Sequence, residues 1–325
     1  MDVSRDKSLA NQSSVSEFLL LEFSKVRERQ ILHFVIFLVL YLATVLGNLL
    51  IISAVVFDHR LHRPMYFFLM NLAMQDLGQV SVIIPKSMAN SLMNTRHISY
   101  SGCVAQVLFF VFFISSDFIL LIVMAYDRYV AICNPLQYQM IMNRRACTEM
   151  VATVWITALL YAGLHTSSTF ATPFCSNVVS QFFCEIPQLL KLSCSSINQI
   201  ETGVLMLFAV IGLGCFIFIV VTYVQIFSTV LRMPSVQGRQ KAFSTCLPHL
   251  IVFSMFMVTG WFSHLSLTTN NTSNVNLIFT CMYSMVPPLL NPMIYSMRNK
   301  EMKAGLSNLV GLRTSSMIIL CSFLP

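Results

Sequence analysis

The sequence predicts an all-α protein, a bundle of seven transmembrane helices with its N-terminus outside. Composition gives the first reason: only 10% of the 325 residues are charged and 56% are hydrophobic, whereas soluble domains carry about 25% charge. The second is seven apolar runs, each near or above the ~20 residues a bilayer requires. They cover approximately Ile31–Phe57, Met65–Met88, Tyr100–Ile132, Cys147–Phe170, Gln199–Leu231, Lys241–Leu267 and Val275–Met297. Runs this long and continuous are helices, because barrel strands would alternate. The third is the placement of basic residues, which collect on the cytoplasmic side. Arg60, Arg63, Arg144, Arg145, Arg232 and Arg239 follow odd-numbered spans, and the opposite loops hold only Arg96 and Lys191, with Lys86 at a span end.

This divides the chain into an outer tail (1–30), the bundle (31–297) and a cytoplasmic tail (298–325) whose stretch Lys300–Leu309 is a short amphipathic helix on the membrane surface. The formal charge of +7 follows this sidedness. No basic domain stands apart, so nucleic acid is not an expected partner; the lipid bilayer is. In the outer tail Asn11-Gln-Ser13 is a glycosylation acceptor sequence. Asn270 and Asn271 head two more, close to the membrane.

Polar residues inside the spans are costly and so draw functional readings. Asp76 on the second span needs a polar partner, and Asn48 on the first is the expected neighbour. Asp117 lies eleven residues before Arg128, about three helical turns, so both face the bundle interior roughly 16 Å apart. Two carboxylates at one depth share a proton or hold a cation, so Asp76 and Asp117 form either a neutral pair or a sodium site. Asp127 beside Arg128 can neutralise it at the end of the third span. Pro292 leaves the Pro288 carbonyl without its helical bond, and Asn291 is placed to help satisfy it. Cys103, Cys175, Cys184 and Cys194 lie outside, where disulfides form, and can pair in three ways.

A ligand site is expected in the outer half of the bundle. On the third span Phe109, Phe110, Phe113 and Ile114 lie one to two turns outward of Asp117. On the sixth, Phe253, Met257, Gly260, Trp261 and His264 follow three–four spacing. Leu207, Phe208 and Ile211 lie at comparable depth on the fifth. Such a cavity is mostly apolar with few polar points, although apolar stripes in bundles more often serve helix packing. His264 favours a small volatile with one oxygen. An intramembrane enzyme would need paired groups at facing depths, and His165, His264, Cys281 and Glu201 are scattered. A transporter could relay protons through Asp76 and Asp117, but no internal repeat is visible.

Four strings carry a specific resemblance. Met124-Ala-Tyr-Asp-Arg-Tyr-Val-Ala-Ile-Cys133 ends the third span, and Leu61-His-Arg-Pro-Met-Tyr-Phe-Phe-Leu69 forms the first inner loop. Lys241-Ala-Phe-Ser-Thr-Cys246 with His249 opens the sixth span, and Pro287-Pro-Leu-Leu-Asn-Pro-Met-Ile-Tyr295 closes the seventh. Together they resemble the vertebrate odorant (olfactory) receptors, a branch of the rhodopsin-like (class A) G-protein-coupled receptors, from Phe18 to about Asn299. The resemblance implies a receptor and not an enzyme, with no cofactor, that binds a small volatile odorant. It implies that a heterotrimeric stimulatory (olfactory-type) G protein is activated and cyclic AMP rises. At rest Arg128 would be held by Asp127 and the foot of the sixth span; on activation Tyr223 and Tyr295 would reach it. Asp127, Arg128, Tyr129, Tyr223, Lys241, Asn291, Pro292 and Tyr295 are the implied switch residues. Cys103–Cys184 and Cys175–Cys194 are the implied disulfides, and the implied location is the plasma membrane, in the cilia of olfactory sensory neurons. The chain departs from the family pattern at Met257-Val258, Thr222, Pro248 and Asp117, and an amine receptor's key acid is replaced by Phe110.

Overall fold

The computed structural model describes residues 16–21, 26–194, 199–232, 234–265, 274–298 and 301–307; the side chains of 199–202, 204–209, 241, 259–265, 274–278 and 296–298 are outside that description. Seven long helices run Arg27–Phe57 (α1), Pro64–Met93 (α2), Tyr100–Cys133 (α3), Arg144–Phe170 (α4), Gln199–Arg232 (α5), Val236–Leu265 (α6) and Asn274–Arg298 (α7). Among the described residues six carry a stretch long and apolar enough to cross a membrane, and α7, at 25 residues, has the length to do so.

The helix starts follow local chemistry. Pro64 occupies the first turn of α2, where its missing N–H costs nothing. Ser99 Oγ accepts from the Gly102 N–H at 3.1 Å and caps α3. Asn143 Oδ1 does the same for the Ala146 N–H at the head of α4. Asn94, in the left-handed region at φ 52°, ends α2. That helix runs five residues past the expected Met88 and through Pro85. Bundle neighbours can take up backbone groups near such a proline, and here Gln106 Nε2 donates to the Val82 carbonyl at 3.1 Å.

The long α3 is central, packed against α2, α4, α5 and α6, while α1 lies against α2 and α7. Leu32, Val39, Leu46 and their neighbours on α1 stay exposed. In water such a face would drive aggregation; in lipid it is the solvated face.

The outer end differs from the sequence reading. Residues of the expected tail form a strand, Glu17–Leu19 (β1), paired antiparallel with His97–Ser99 (β2). Phe18 and Leu20 are buried there, in a cluster with Cys103, Val107 and Cys184. At the inner end residues 301–307 are helical. Glu301 receives Arg63 Nη1 at 3.1 Å and the Tyr66 hydroxyl at 2.8 Å. This docks the short helix against the first inner loop.

Candidate functional site

Two regions gather the polar and ligand-sized features. The outer one begins with the loop after α4. Cys184 is bonded to Cys103 at the head of α3, and Cys175 to Cys194 within the loop. These are the pairs implied by the resemblance. The Cys184 N–H donates to Gln106 Oε1 at 2.9 Å, a second tether one turn further along α3. The Phe182 carbonyl accepts from Ser87 Oγ on α2 at 3.1 Å. So held, the loop drives Phe182, Phe183 and Glu185 into the mouth of the bundle, where all three are buried.

Beneath this plug lies a cavity of about 510 Å³. Phe110, Ile114 and Phe118 of α3 form one wall and Tyr161 and His165 of α4 another; Ile211 and Cys215 of α5, Phe256 of α6 and Tyr283 of α7 complete it, under Glu185 and Leu190 of the loop. Volume and apolar lining suit a small organic ligand. The structure thus brings together Phe110, Ile114 and Ile211 of the expected set. Phe109 is 48% exposed on the outside of α3, one helical step of 100° from Phe110. Phe113 lies over Gly78 of α2, so tightly that a Cβ at Gly78 would clash with its ring. Met257 packs with the inner-half core, and the neighbouring Phe256, stacked on Phe118 at 5.8 Å, faces the cavity instead. Leu207, Phe208, Gly260, Trp261 and His264 lie outside the described side chains.

Glu185 is the acid among the described lining residues. Its side chain is 2% exposed. Oε2 accepts from the Tyr283 hydroxyl at 2.6 Å, and Thr280 Oγ1 stands 3.5 Å from Oε1. Burial holds this carboxyl up at about 7, against the smaller lowering effects of Tyr283, Gln188, Thr280 and Lys191. Sequence reading passed over it because a loop acid is ordinarily solvated; only the disulfide at the preceding residue turns it inward.

The inner region surrounds Arg128, which is 8% exposed. Asp127 and Arg128 interact electrostatically, but not as a contact ion pair. Among the described residues no ion pair within 4.0 Å joins them; Asp127 Oδ1 accepts from the Tyr138 hydroxyl at 2.9 Å. Adjacent helical side chains diverge by about 100°, which sends the two charges to different neighbours. Arg128 faces a small pocket shared with Ser244, Thr245 and Tyr295. Arg128 Nε and the Tyr295 hydroxyl are both buried there without hydrogen-bond partners among the described residues. Tyr223 is engaged elsewhere, 2.8 Å from His249 Nδ1, while His249 Nε2 is 2.9 Å from the Leu121 carbonyl. A carbonyl only accepts, so Nε2 carries the proton and Nδ1 accepts from the Tyr223 O–H. His249 therefore ties α5 to α3 through α6. Tyr129 is half-buried against the core, and the Lys241 side chain is outside the description.

Between the two regions the expected polar partners are exchanged. Asn291 Nδ2 donates to both oxygens of Asp76, at 3.1 and 3.0 Å. Asn48 Nδ2 instead donates to the Pro288 carbonyl at 3.0 Å. The reason is close approach: a Cβ on Gly47 would lie 3.1 Å from Pro292 Cβ, so α1 reaches the carbonyl that Pro292 frees. Asp117 is buried, its Oδ1 has no hydrogen-bond partner among the described residues, and it interacts electrostatically with Asp76. This oxygen-only donor set fits a hard cation, although no group of three or more metal-binding side chains occurs among the described residues. Asn11, Asn270 and Asn271 lie outside the described residues.

Comparison with known proteins agrees with this arrangement. A family model described as olfactory receptor matches residues 37–311. The chain is 49% identical to olfactory receptor 14I1 of Homo sapiens, over 91% of this chain and 96% of that one. It is 48% identical to olfactory receptor 14J1 of Homo sapiens, over 93% and 94%. Olfactory receptor 1G1 of Gorilla gorilla gorilla matches at 44%, over 93% and 97%. Likeness of this extent, spanning the loop, the cavity and the Arg128 region, makes the chain a multi-pass membrane receptor and not an enzyme: it belongs to the olfactory receptor family.

Proposed function

We propose that this olfactory receptor binds small volatile ligands in the 510 Å³ cavity and answers by activating a stimulatory, olfactory-type G protein, so that cyclic AMP rises. The observation that carries the reading is the state of the inner region. Arg128 Nε and the Tyr295 hydroxyl are buried in one pocket without hydrogen-bond partners among the described residues, while Tyr223 is held by His249. Unsatisfied buried donors are costly, so a rearrangement bringing Tyr223 and Tyr295 to Arg128 would recover hydrogen bonds. A ligand need only favour that second state to shift the population. Asp127, Tyr129, Lys241, Asn291 and Pro292 complete the switch. Asp76 and Asp117 would either share a proton as a neutral pair or hold a sodium ion beside the prolines of α7. Asn11 would carry a glycan on the outer tail (1–30), the tail from 298 onward would lie inside, and the working site would be the ciliary plasma membrane of olfactory sensory neurons.

The test is a broad volatile panel on cells expressing the chain, read as cyclic AMP. With an agonist in hand, Arg128→Ala is expected to abolish the response while surface expression and ligand binding persist. A normal response in that variant would sink the switch. Phe110→Ala should shift agonist potency about tenfold or more, as loss of a buried aromatic contact implies, and an unchanged dose–response curve would place the ligand elsewhere.

A further inference from the structure

Among the described residues the cavity wall is apolar except for a few groups, and their engagements differ. Ser115 Oγ is spent on the carbonyls of its own helix, at 2.6 Å from Val111 O and 3.1 Å from Phe112 O. Tyr161 and His165 pack against each other with ring planes tilted by 59° and centroids 4.6 Å apart. Glu185 stands at the head of the helix Ile186–Lys191 but makes no side-chain cap to it, so its carboxylate turns to the cavity and α7. A carboxylate offers about four acceptor positions. Tyr283 fills one well at 2.6 Å, Thr280 a second weakly at 3.5 Å, and Gln188 of the same short helix bonds to the carboxyl as well, which leaves one position for a ligand. The backbone that carries it is fixed by the Cys103–Cys184 bond and by Gln106, so the acceptor is preorganised.

We infer that Glu185 is the polar anchor of the ligand cavity and selects small apolar molecules with a hydrogen-bond-donating head, an amine or an alcohol, over carbonyl compounds of the same frame. The inference rests on the reading of this cavity as the odorant site and adds the ligand class. An ammonium or hydroxyl would complete the acceptor shell of a desolvated carboxylate, and bonds to an ionised group are roughly twice as strong as neutral ones. An aldehyde or ester presents only acceptors and would set oxygen lone pairs against the carboxylate. Phe110 and Ile114 would hold the hydrocarbon. Phe110 also packs on Phe183 at 5.0 Å and on Tyr283 at 6.0 Å, which places the apolar wall beside the anchor.

The test needs no G protein: ligand-dependent thermal stabilisation of the full-length receptor with hexylamine, 1-hexanol, hexanal and hexyl acetate. In the wild type the amine and alcohol should act at concentrations about tenfold lower than the aldehyde and ester, the ratio expected of one charge-assisted bond. Glu185→Gln should reduce that ratio below about threefold and weaken the amine most, while Glu185→Asp retains the ranking. The wild-type ranking stands even if a variant folds poorly. A wild type that favours hexanal, or is not stabilised by the amine and alcohol, overturns the anchor. So does an unaltered ranking in Glu185→Gln. Phe110→Ala separates the two readings: if it weakens every member while Glu185→Gln leaves the ranking intact, only the anchor fails. If neither variant changes anything, the cavity reading fails with it.

Discussion

Glu185 and His249 are the residues whose roles local sequence conceals. Both are polar groups driven into low dielectric by neighbours distant in the chain: Glu185 by the disulfide to Cys103, His249 by the Leu121 carbonyl and Tyr223. Their types alone allow a solvated loop acid and an ordinary helix histidine. Glu185 also gives the outer region a pH signature. Its carboxyl titrates at about 7 in the folded receptor because of burial, against 4.5 in the open chain. A raised carboxyl favours folding fully below the open-chain value and loses that contribution as pH climbs through the folded value. The groups facing it are Tyr283, Thr280 and Cys281 on α7, Gln188 and Lys191 on its own loop, and Tyr161 and His165 across the cavity. Between pH 4.5 and 7.5 the receptor should lose about 3 kcal/mol on this account. Thermal-inactivation midpoints at pH 5 and pH 8 should therefore fall further in the wild type than in Glu185→Gln. Parallel curves would show that the carboxyl is not desolvated as the geometry requires.

Helix α7 is where an element depends on its neighbours. Pro287, Pro288 and Pro292 all lie within it, and a proline inside a helix ordinarily costs about 3 kcal/mol. The helix continues through them with help from α1, which supplies what the backbone lost: Asn48 reaches the Pro288 carbonyl, and Gly47 allows the approach. Two substitutions test this. Asn48→Ala leaves a buried carbonyl unsatisfied, at a cost of about 1–3 kcal/mol. Gly47→Val puts a branched side chain where a bare Cβ already meets Pro292 at 3.1 Å. Both should lower surface expression and thermal stability, the valine more. A Gly47→Val receptor as stable as the wild type would mean that α1 and α7 are not pressed together. The pairing itself was only partly legible: the sequence marks Asn48, Asp76, Asn291 and Pro292 as a polar set, but which amide serves which partner depends on helix rotation. At the cavity, likewise, Phe256 lines the wall while its neighbour Met257 packs into the core.

For the whole molecule the outer cap is the decisive assembly. Residues 16–21, the loop after α4 and the head of α3 form one packed unit: the Leu19 N–H donates to the Asn177 carbonyl and the Leu21 N–H to that of Gln181, both at 2.8 Å. The Cys103–Cys184 bond closes a separation of 81 residues, and loss of a long-range disulfide costs about 2–5 kcal/mol. Cys103→Ser and Cys184→Ser should therefore reduce surface expression and ligand response alike, with the double variant no worse than either single, since all three lose one bond. Additive defects, or non-reduced peptides showing Cys103 joined to Cys175, would overturn the pairing.

The seven spans, their sidedness and the positions of Asp117, Arg128 and Pro292 were fixed by the order of residues alone. Transfer of apolar side chains from water to lipid is local and additive, so it can be read along a chain. The Asn48–Pro288 contact between α1 and α7, the exposure of Phe109, the partner of Asp127 and the inward turn of Glu185 came only with tertiary structure. Each depends on which residue of another helix stands within about 3 Å, and hydrogen bonds and side-chain contacts are directional over that distance. A helical step of 100° is enough to exchange one partner for another.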